Sequence, residues 1–483
     1  MSATLLWLRA DLRVADHPAL LAAIARGRPV VPVFVWAPQE QGAWAPGAAS
    51  RVWLHHSLAA LAQRFRGLGS ALVLRRGPSL EALRALCAET GADAVYWTRR
   101  YEPWATTRDA GIKQALRREG IDAQSFPGTT IVEPFALQTR GGAPFRVFTP
   151  FWRALAPLAD TALPLPAPVR LPVPSAAPGS LGLADLGLLP RIDWTGGIRA
   201  HWQAGEAGAR AALEDFQAGA IDAYGQARDF PARAGVSRLS PHLCFGEISA
   251  RDAWHAVRAA EAARGRPTPG AGAQAWLRQL AWREFAQHLL YHFPHTPEAP
   301  LRPEFAAFGW HEDAASLARW QRGATGVPIV DAGMRALWHT GWMHNRVRMI
   351  AASLLVKDLL VDWRAGARWF WDTLVDADLA NNTLGWQWIA GCGADAAPYF
   401  RIFNPVTQAR RFDPDGDYIR RWVPELAAAP TRWIHAPWEA TADARIAAGI
   451  EGRYPEPVID HAIARRRALD AYARLRAERN DGS

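Results

Sequence analysis

The stretch Asp376–Pro405 reads DADLANNTLGWQWIAGCGADAAPYFRIFNP and sets the expectations for the rest of the chain. Between Asp376 and Trp388 it holds two carboxylates (Asp376, Asp378), two amides (Asn381, Asn382) and two indoles (Trp386, Trp388). A simple apolar core does not call for that mixture. Carboxylates and amides hydrogen-bond the edge of a heteroaromatic ring system, and an indole stacks on one or passes it an electron. A buried turn in which Asp and Asn cap helices and both Trp are core accounts for the same residues.

A chain of 483 residues exceeds the usual limit of one hydrophobic core, so two or more domains are expected. With 49% hydrophobic and 21% charged residues it has the composition of an ordinary soluble globular protein. The start, MSATLLWLRADLR, places charges too early for a secretory signal, and no later run approaches a membrane span. The expected location is cytoplasmic. The three cysteines, Cys87, Cys244 and Cys392, lie far apart and exclude a four-cysteine iron–sulfur cluster built by this chain alone. A net charge of +9 favours a polyanionic partner, because each phosphate neutralised releases counterions. Lys113 and Lys357 are the only lysines, so part of the Arg excess reflects compositional bias. Most of the 24 tryptophans lie from Trp194 onward, which concentrates the need for indoles in the C-terminal part.

From Thr4 to about Ser125 the apolar runs LLWL, VVPVFVW, ALVL and AVYW alternate with helical stretches, the pattern of a parallel α/β sheet with helices on both faces. Neither GxGxxG nor GxxxxGK[ST] occurs, which removes the Rossmann fingerprint and the P-loop. Pro157 to Pro190 is Pro-rich and reads as an extended interdomain linker. From about Arg199 amphipathic helical segments run to the end, with no internal repeat. The expected division is 1–130 as the α/β domain, 131–198 as the linker and 199–483 as an all-α domain. The tail after Val458 reads as a solvated basic helix.

Three further segments carry candidate chemistry. In VSRLSPHLCFGEIS, Ser240 before Pro241 reads as an N-cap, and the N–H groups there, with the Ser237 and Ser240 hydroxyls, suit a phosphate; plain capping fits as well. In QAWLRQLAWREF, helical spacing gathers Trp276, Gln279 and Arg283 on one face beside Trp282, suited to a planar, anionic ligand or to core packing. In GWMHNRVRM, Asn345 shares a face with Arg348 and Met349, and Arg346 and Arg348 need acids or phosphates, with Asp376 or Asp378 as candidate acids. His288 and His292 have metal spacing without HExxH, and DPDGDY from Asp413 reads as a turn, so no metal is expected.

Together SRLSPHLCFGEIS, WREF, GWMHNRVRM, VKDLLVDW and the Asp376–Pro405 stretch resemble the photolyase/cryptochrome family, closest to class I cyclobutane pyrimidine dimer DNA photolyases. The resemblance implies an α/β domain, a winding linker and a helical domain holding FAD. It implies that Tyr224, Ser237, Leu239 and Ser240 hold the FAD phosphates and ribityl region. Trp276, Arg283, Asn345, Arg348, Asp376, Asp378 and Asn382 would line its rings and adenine, with Arg348 paired to Asp376 and Asn382 near flavin N5. Trp386, Trp363 and Trp310 match the family's electron-carrying tryptophans. Trp282 and Trp388 match the walls of a lesion pocket, and Gln279, Asn345, Met349, Arg228, Arg346 and Arg401 match positions around a flipped dimer in UV-damaged DNA and its phosphates.

This sequence departs from the family pattern at three places. Val236 replaces a Thr that gives the FAD phosphates a hydroxyl. Trp104 and Ala105 stand where the folate-binding pattern has Asn and Glu, so the antenna chromophore stays unassigned. Gln279 stands where dimer photolyases carry Glu, and it cannot supply a proton or a negative charge. The (6-4) photolyases carry Gln there, but with two histidines where this chain has Asn345 and Met349. The expectation is therefore a monomeric, light-dependent enzyme repairing cyclobutane pyrimidine dimers. The alternatives are a cryptochrome-like photoreceptor and a (6-4) photolyase.

Overall fold

The computed structural model of the chain describes residues 2–396 and 401–481, so the APYF segment of the quoted stretch lies outside the described residues. The chain divides into two compact units. The first is Met1–Asp222 with Ser237–Pro294 and Val375–Ala380; the second is Ala223–Val236 with His295–Leu374 and Asn381–Ser483.

The first unit is built on a parallel sheet of five strands in the order β3-β2-β1-β4-β5. The strands are β1 (Thr4–Leu8), β2 (Val30–Trp36), β3 (Val73–Arg76), β4 (Ala94–Thr98) and β5 (Asp122–Phe126). Every residue of β1, β2 and β4 is buried, because helices α1 (Pro18–Ala25), α2 (Ala48–Gly67), α3 (Ser79–Thr90) and α4 (Pro103–Arg118) cover the sheet. Leu6, Leu8, Phe34 and Leu74 enter one core, and Leu5, Trp7, Val33 and Val95 the other. The alternation of side chains across a strand produces that division. The sequence pattern missed β5, since DAQSF is a polar edge strand and lacks the apolar run.

Two expectations are corrected. The segment read as an extended linker contains helix α5 (Phe148–Thr161) with Pro157 inside it. Beyond α5 it lies against the sheet: Val30 N–H donates to Pro172 O, Leu171 N–H to Leu68 O and Leu181 N–H to Leu74 O. Leu171, Leu186 and Leu188 enter the core. Proline disfavours further helix beyond α5 but leaves an extended chain able to pack. The terminal helix His461–Asp481 is also not solvated all round. Ala464, Ala468, Ala471 and Leu475 are buried, a stripe at helical spacing that the surrounding arginines hid, and His461 Nδ1 bonds Asp358 at 2.7 Å.

The second unit is helical. Its helices include Pro328–Thr340, Asn345–Ser353, Trp363–Thr373 and Pro405–Phe412, with a π-helical turn at Leu354–Asp358. Lys357 in that turn is fully buried and donates to the Ala390 carbonyl at 2.7 Å; burial pulls its ammonium well below the usual range. Among the described residues no helix is long and apolar enough to cross a membrane.

Candidate functional site

In the first unit the helix Ala271–His292 carries Trp276, Gln279, Trp282 and Arg283. Trp276 is buried against Phe216, ring centroids 5.6 Å apart, while Gln279 is partly exposed. Trp282 lies flat on Phe148, centroids 3.8 Å apart and planes 5° apart, and Arg278 stands 5.2 Å from the same phenyl ring. Arg283 donates to the carbonyls of Thr129 at 3.0 Å and Leu243 at 3.4 Å and meets Glu284 at 3.2 Å. Part of its donor capacity therefore serves the fold. Burial pushes Glu284 up to about 7, against Arg283 and the N–H groups of Ile131 and Val132 that favour its charge.

Ser240 is the first residue of the short helix Ser240–Cys244, and Leu239 rather than Ser240 occupies the cap. Arg238, between Ser237 and Leu239, takes φ +54°, an uncommon left-handed conformation for a non-glycine residue, with its guanidinium 4.1 Å over Trp202. Asp376 is buried, and Asp378 accepts the Gln287 side-chain N–H at 3.0 Å. Cys244 donates to the Ala377 carbonyl at 3.4 Å, and burial, followed by the carboxylates of Asp378 and Asp376, keeps its thiol protonated.

In the second unit His344 caps the helix that begins at Asn345, its Nδ1 accepting the Arg346 N–H at 3.2 Å. Burial, followed by the charges around it, pushes His344 down to about 4, with Arg348, Arg346 and Arg228 opposing its protonation and Asp229 favouring it. The Asn345 side chain reaches Met349 Sδ at 3.9 Å, so the two share a face as their spacing requires. Arg348 donates to the Met343 carbonyl at 2.7 Å. The acid that meets Arg346 is Asp229, at 2.8 Å. Nothing in the segment spacing pointed to Asp229; its place directly after Arg228 was the one available signal. Arg228 stands 5.4 Å over the ring of the buried Tyr224, and Arg401 5.9 Å over Trp388.

The Asn382 side chain donates to the Ala367 carbonyl at 3.0 Å, which fixes how its amide is turned. Trp386 is buried between Phe370, at 5.0 Å, and Trp320, at 6.2 Å. Trp363 is buried as well, at the start of its helix behind the Asp362 cap, and Trp310 is partly exposed beside Phe308 at 4.4 Å. His288 accepts the Phe145 N–H at 3.0 Å, and among the described residues no group of three or more His, Cys, Asp or Glu is placed to hold a metal.

Trp104, at the position of the altered folate pattern, has Arg100 and Arg108 each 5.0 Å from its ring, and Ala105 is fully buried. The donor set fits FAD. Carboxylates accept from ring N–H groups, guanidinium and amide groups donate to ring oxygens and phosphates, and the Ser237 hydroxyl precedes a short helix that Ser240 opens.

Comparison with known proteins gives a consistent picture. The family model for DNA photolyase matches residues 4–169, and the model for the FAD binding domain of DNA photolyase matches residues 276–474. A deoxyribodipyrimidine photo-lyase of Agrobacterium fabrum is 48% identical over 475 residues, covering 98% of each chain. Cryptochrome-2 of Arabidopsis thaliana is 38% identical over 484 residues, covering 98% of this chain and 79% of that one. Among solved structures, a bacterial class III photolyase from Agrobacterium tumefaciens superposes with a TM-score of 0.94 at 48% identity, covering 99% of this chain and 98% of that one.

Proposed function

The chain belongs to the photolyase/cryptochrome family, and on that premise we propose that it repairs cyclobutane pyrimidine dimers in DNA in a light-dependent reaction. The observation that carries this reading is the 48% identity along essentially the full length of a relative named deoxyribodipyrimidine photo-lyase. The class III structural relative at TM-score 0.94 supports a reassignment within the family, away from the class I likeness of the motifs.

Bound to this chain, FAD would supply the light-driven one-electron chemistry that splitting a cyclobutane dimer requires. Tyr224, Ser237, Leu239 and Ser240 would hold its phosphates and ribityl chain. Trp276, Arg283, Asn345, Arg348, Asp376, Asp378 and Asn382 would line its rings and adenine. Trp310, Trp363 and Trp386 form the route by which electrons enter; the exposure of Trp310 and the burial of the other two support that direction.

Trp282 and Trp388 would each offer an indole face to a flipped base, recovering the stacking lost when it leaves the duplex. Arg228, Arg346 and Arg401 take the phosphates. Gln279 and Asn345 hydrogen-bond the pyrimidines, with Met349 against them. Gln279 donates and accepts but transfers no proton, and the cycle requires none. The 38% identity to a plant cryptochrome favours a second reading, light sensing without repair.

Illuminated repair of two oligonucleotides, one with a cyclobutane thymine dimer and one with a (6-4) product, tests the proposal. The chemically reduced protein is compared with its Gln279→Glu variant. Repair of the cyclobutane dimer by the parent is expected. Repair gained only in the variant would assign the parent to sensing, and repair of the (6-4) product alone would change the substrate.

A further inference from the structure

Asp229 is a carboxylate set among arginines on the face read above as meeting DNA. Its Oδ2 lies 2.8 Å from Arg346 Nη2, and its Oδ1 4.0 Å from Arg228 Nε. Beneath Arg346 lies the ring of Phe412, 4.3 Å from the guanidinium, with Arg411 5.0 Å from the same ring. Phe230 meets Phe412 edge-on at 6.1 Å and carries Arg233 at 4.3 Å.

The Arg346 side chain is 18% exposed, and its Nε is buried without a hydrogen-bond partner among the described residues. A guanidinium this far out of water needs an opposite charge. Asp229 supplies it. Yet the Asp229 side chain is itself 30% exposed, and an acid facing a polyanion repels it. On charge alone, removing that acid tightens DNA binding.

We propose that Asp229 is a positioning residue for DNA binding: with Phe412 it holds Arg346 in a single orientation before the duplex arrives. The ordering gained outweighs the repulsion between carboxylate and phosphate. An arginine that must be immobilised on binding weakens association by about 2- to 10-fold, so pre-ordering one recovers a factor of that size. The inference rests on the reading of this face as the DNA-binding one.

The test is a double-mutant cycle on the full-length, FAD-loaded protein. It measures the Kd for a duplex carrying one cyclobutane thymine dimer across a range of salt, for the parent, Asp229→Asn, Arg346→Ala and the double variant. Asp229→Asn is expected to weaken binding about 5-fold in the parent and to leave the salt slope unchanged, because Arg346 still neutralises its phosphate. In the Arg346→Ala background it is expected to leave binding unchanged or tighter. Tighter binding by Asp229→Asn in the parent background overturns the proposal, as does equal weakening in both backgrounds. If the parent does not prefer the damaged duplex, the repair reading fails; the same cycle on undamaged duplex still decides the role of Asp229.

Discussion

Trp282 and Phe148 lie face to face with ring centroids 3.8 Å apart and planes 5° apart. Phe148 is 1% exposed at the start of α5, so one face of the indole is fixed against a rigid wall. An aromatic pair contributes about 0.5–1.5 kcal/mol beyond area burial, and it also fixes the plane on which a base would stack. Phe148→Leu is expected to lower affinity for dimer-containing DNA about 3-fold while leaving undamaged DNA binding unchanged. Equal loss on both duplexes would show that the stack serves only the fold.

Gly366 lies directly against Trp386. A Cβ added there would stand 2.1 Å from Trp386 Cη2 and 2.7 Å from Leu355 Cδ2. Both neighbours are buried, so the indole has to move. Gly366→Ala is expected to cost about 1–3 kcal/mol in stability and to slow flavin photoreduction. Unchanged photoreduction kinetics in a destabilised variant would remove Trp386 from the electron route.

Trp363→Phe is expected to separate photoreduction from repair. The variant should lose light-driven reduction of oxidised flavin, yet repair dimers once reduced chemically. Retained photoreduction would mean that electrons enter by another path.

Glu284 predicts a pH dependence of stability. Its folded pKa of about 7 stands above the ordinary value of 4.5, so the folded chain holds this proton more tightly than the unfolded chain. The corresponding stability is fully present below pH 4.5 and is lost as the pH rises through about 7. The parent should therefore lose up to roughly 3 kcal/mol across that window relative to Glu284→Gln, which cannot titrate. Urea midpoints at pH 5 and pH 8 measure the difference, and parallel behaviour of the two proteins would assign the dependence to another group.

Dimer-DNA affinity should fall with salt by about 0.9 in log K per phosphate neutralised. A flat response would contradict binding through Arg228, Arg346 and Arg401.

The strands of the α/β unit were legible because parallel strands covered on both faces must be continuously apolar, as LLWL, VVPVFVW and AVYW are. The polar β5 lacked that signal. Helical spacing likewise foretold the shared face of Asn345 and Met349, since neighbours along a helix are set by local geometry alone. Family motifs supplied the candidate FAD and lesion residues.

Contacts between residues distant in sequence carried no such mark. The stack of Phe148 on Trp282, the Phe412 ring beneath Arg346 and the Asp229–Arg346 pair each join segments more than 60 residues apart. The Pro-rich segment and the arginine-rich terminal helix show the same limit: residue type gave their local conformation, while burial of Leu171, Leu188, Ala464 and Ala468 depended on which surface they met. Local propensity is decided within a few residues of chain. The environment of a charge or a ring is decided by whatever the fold brings against it.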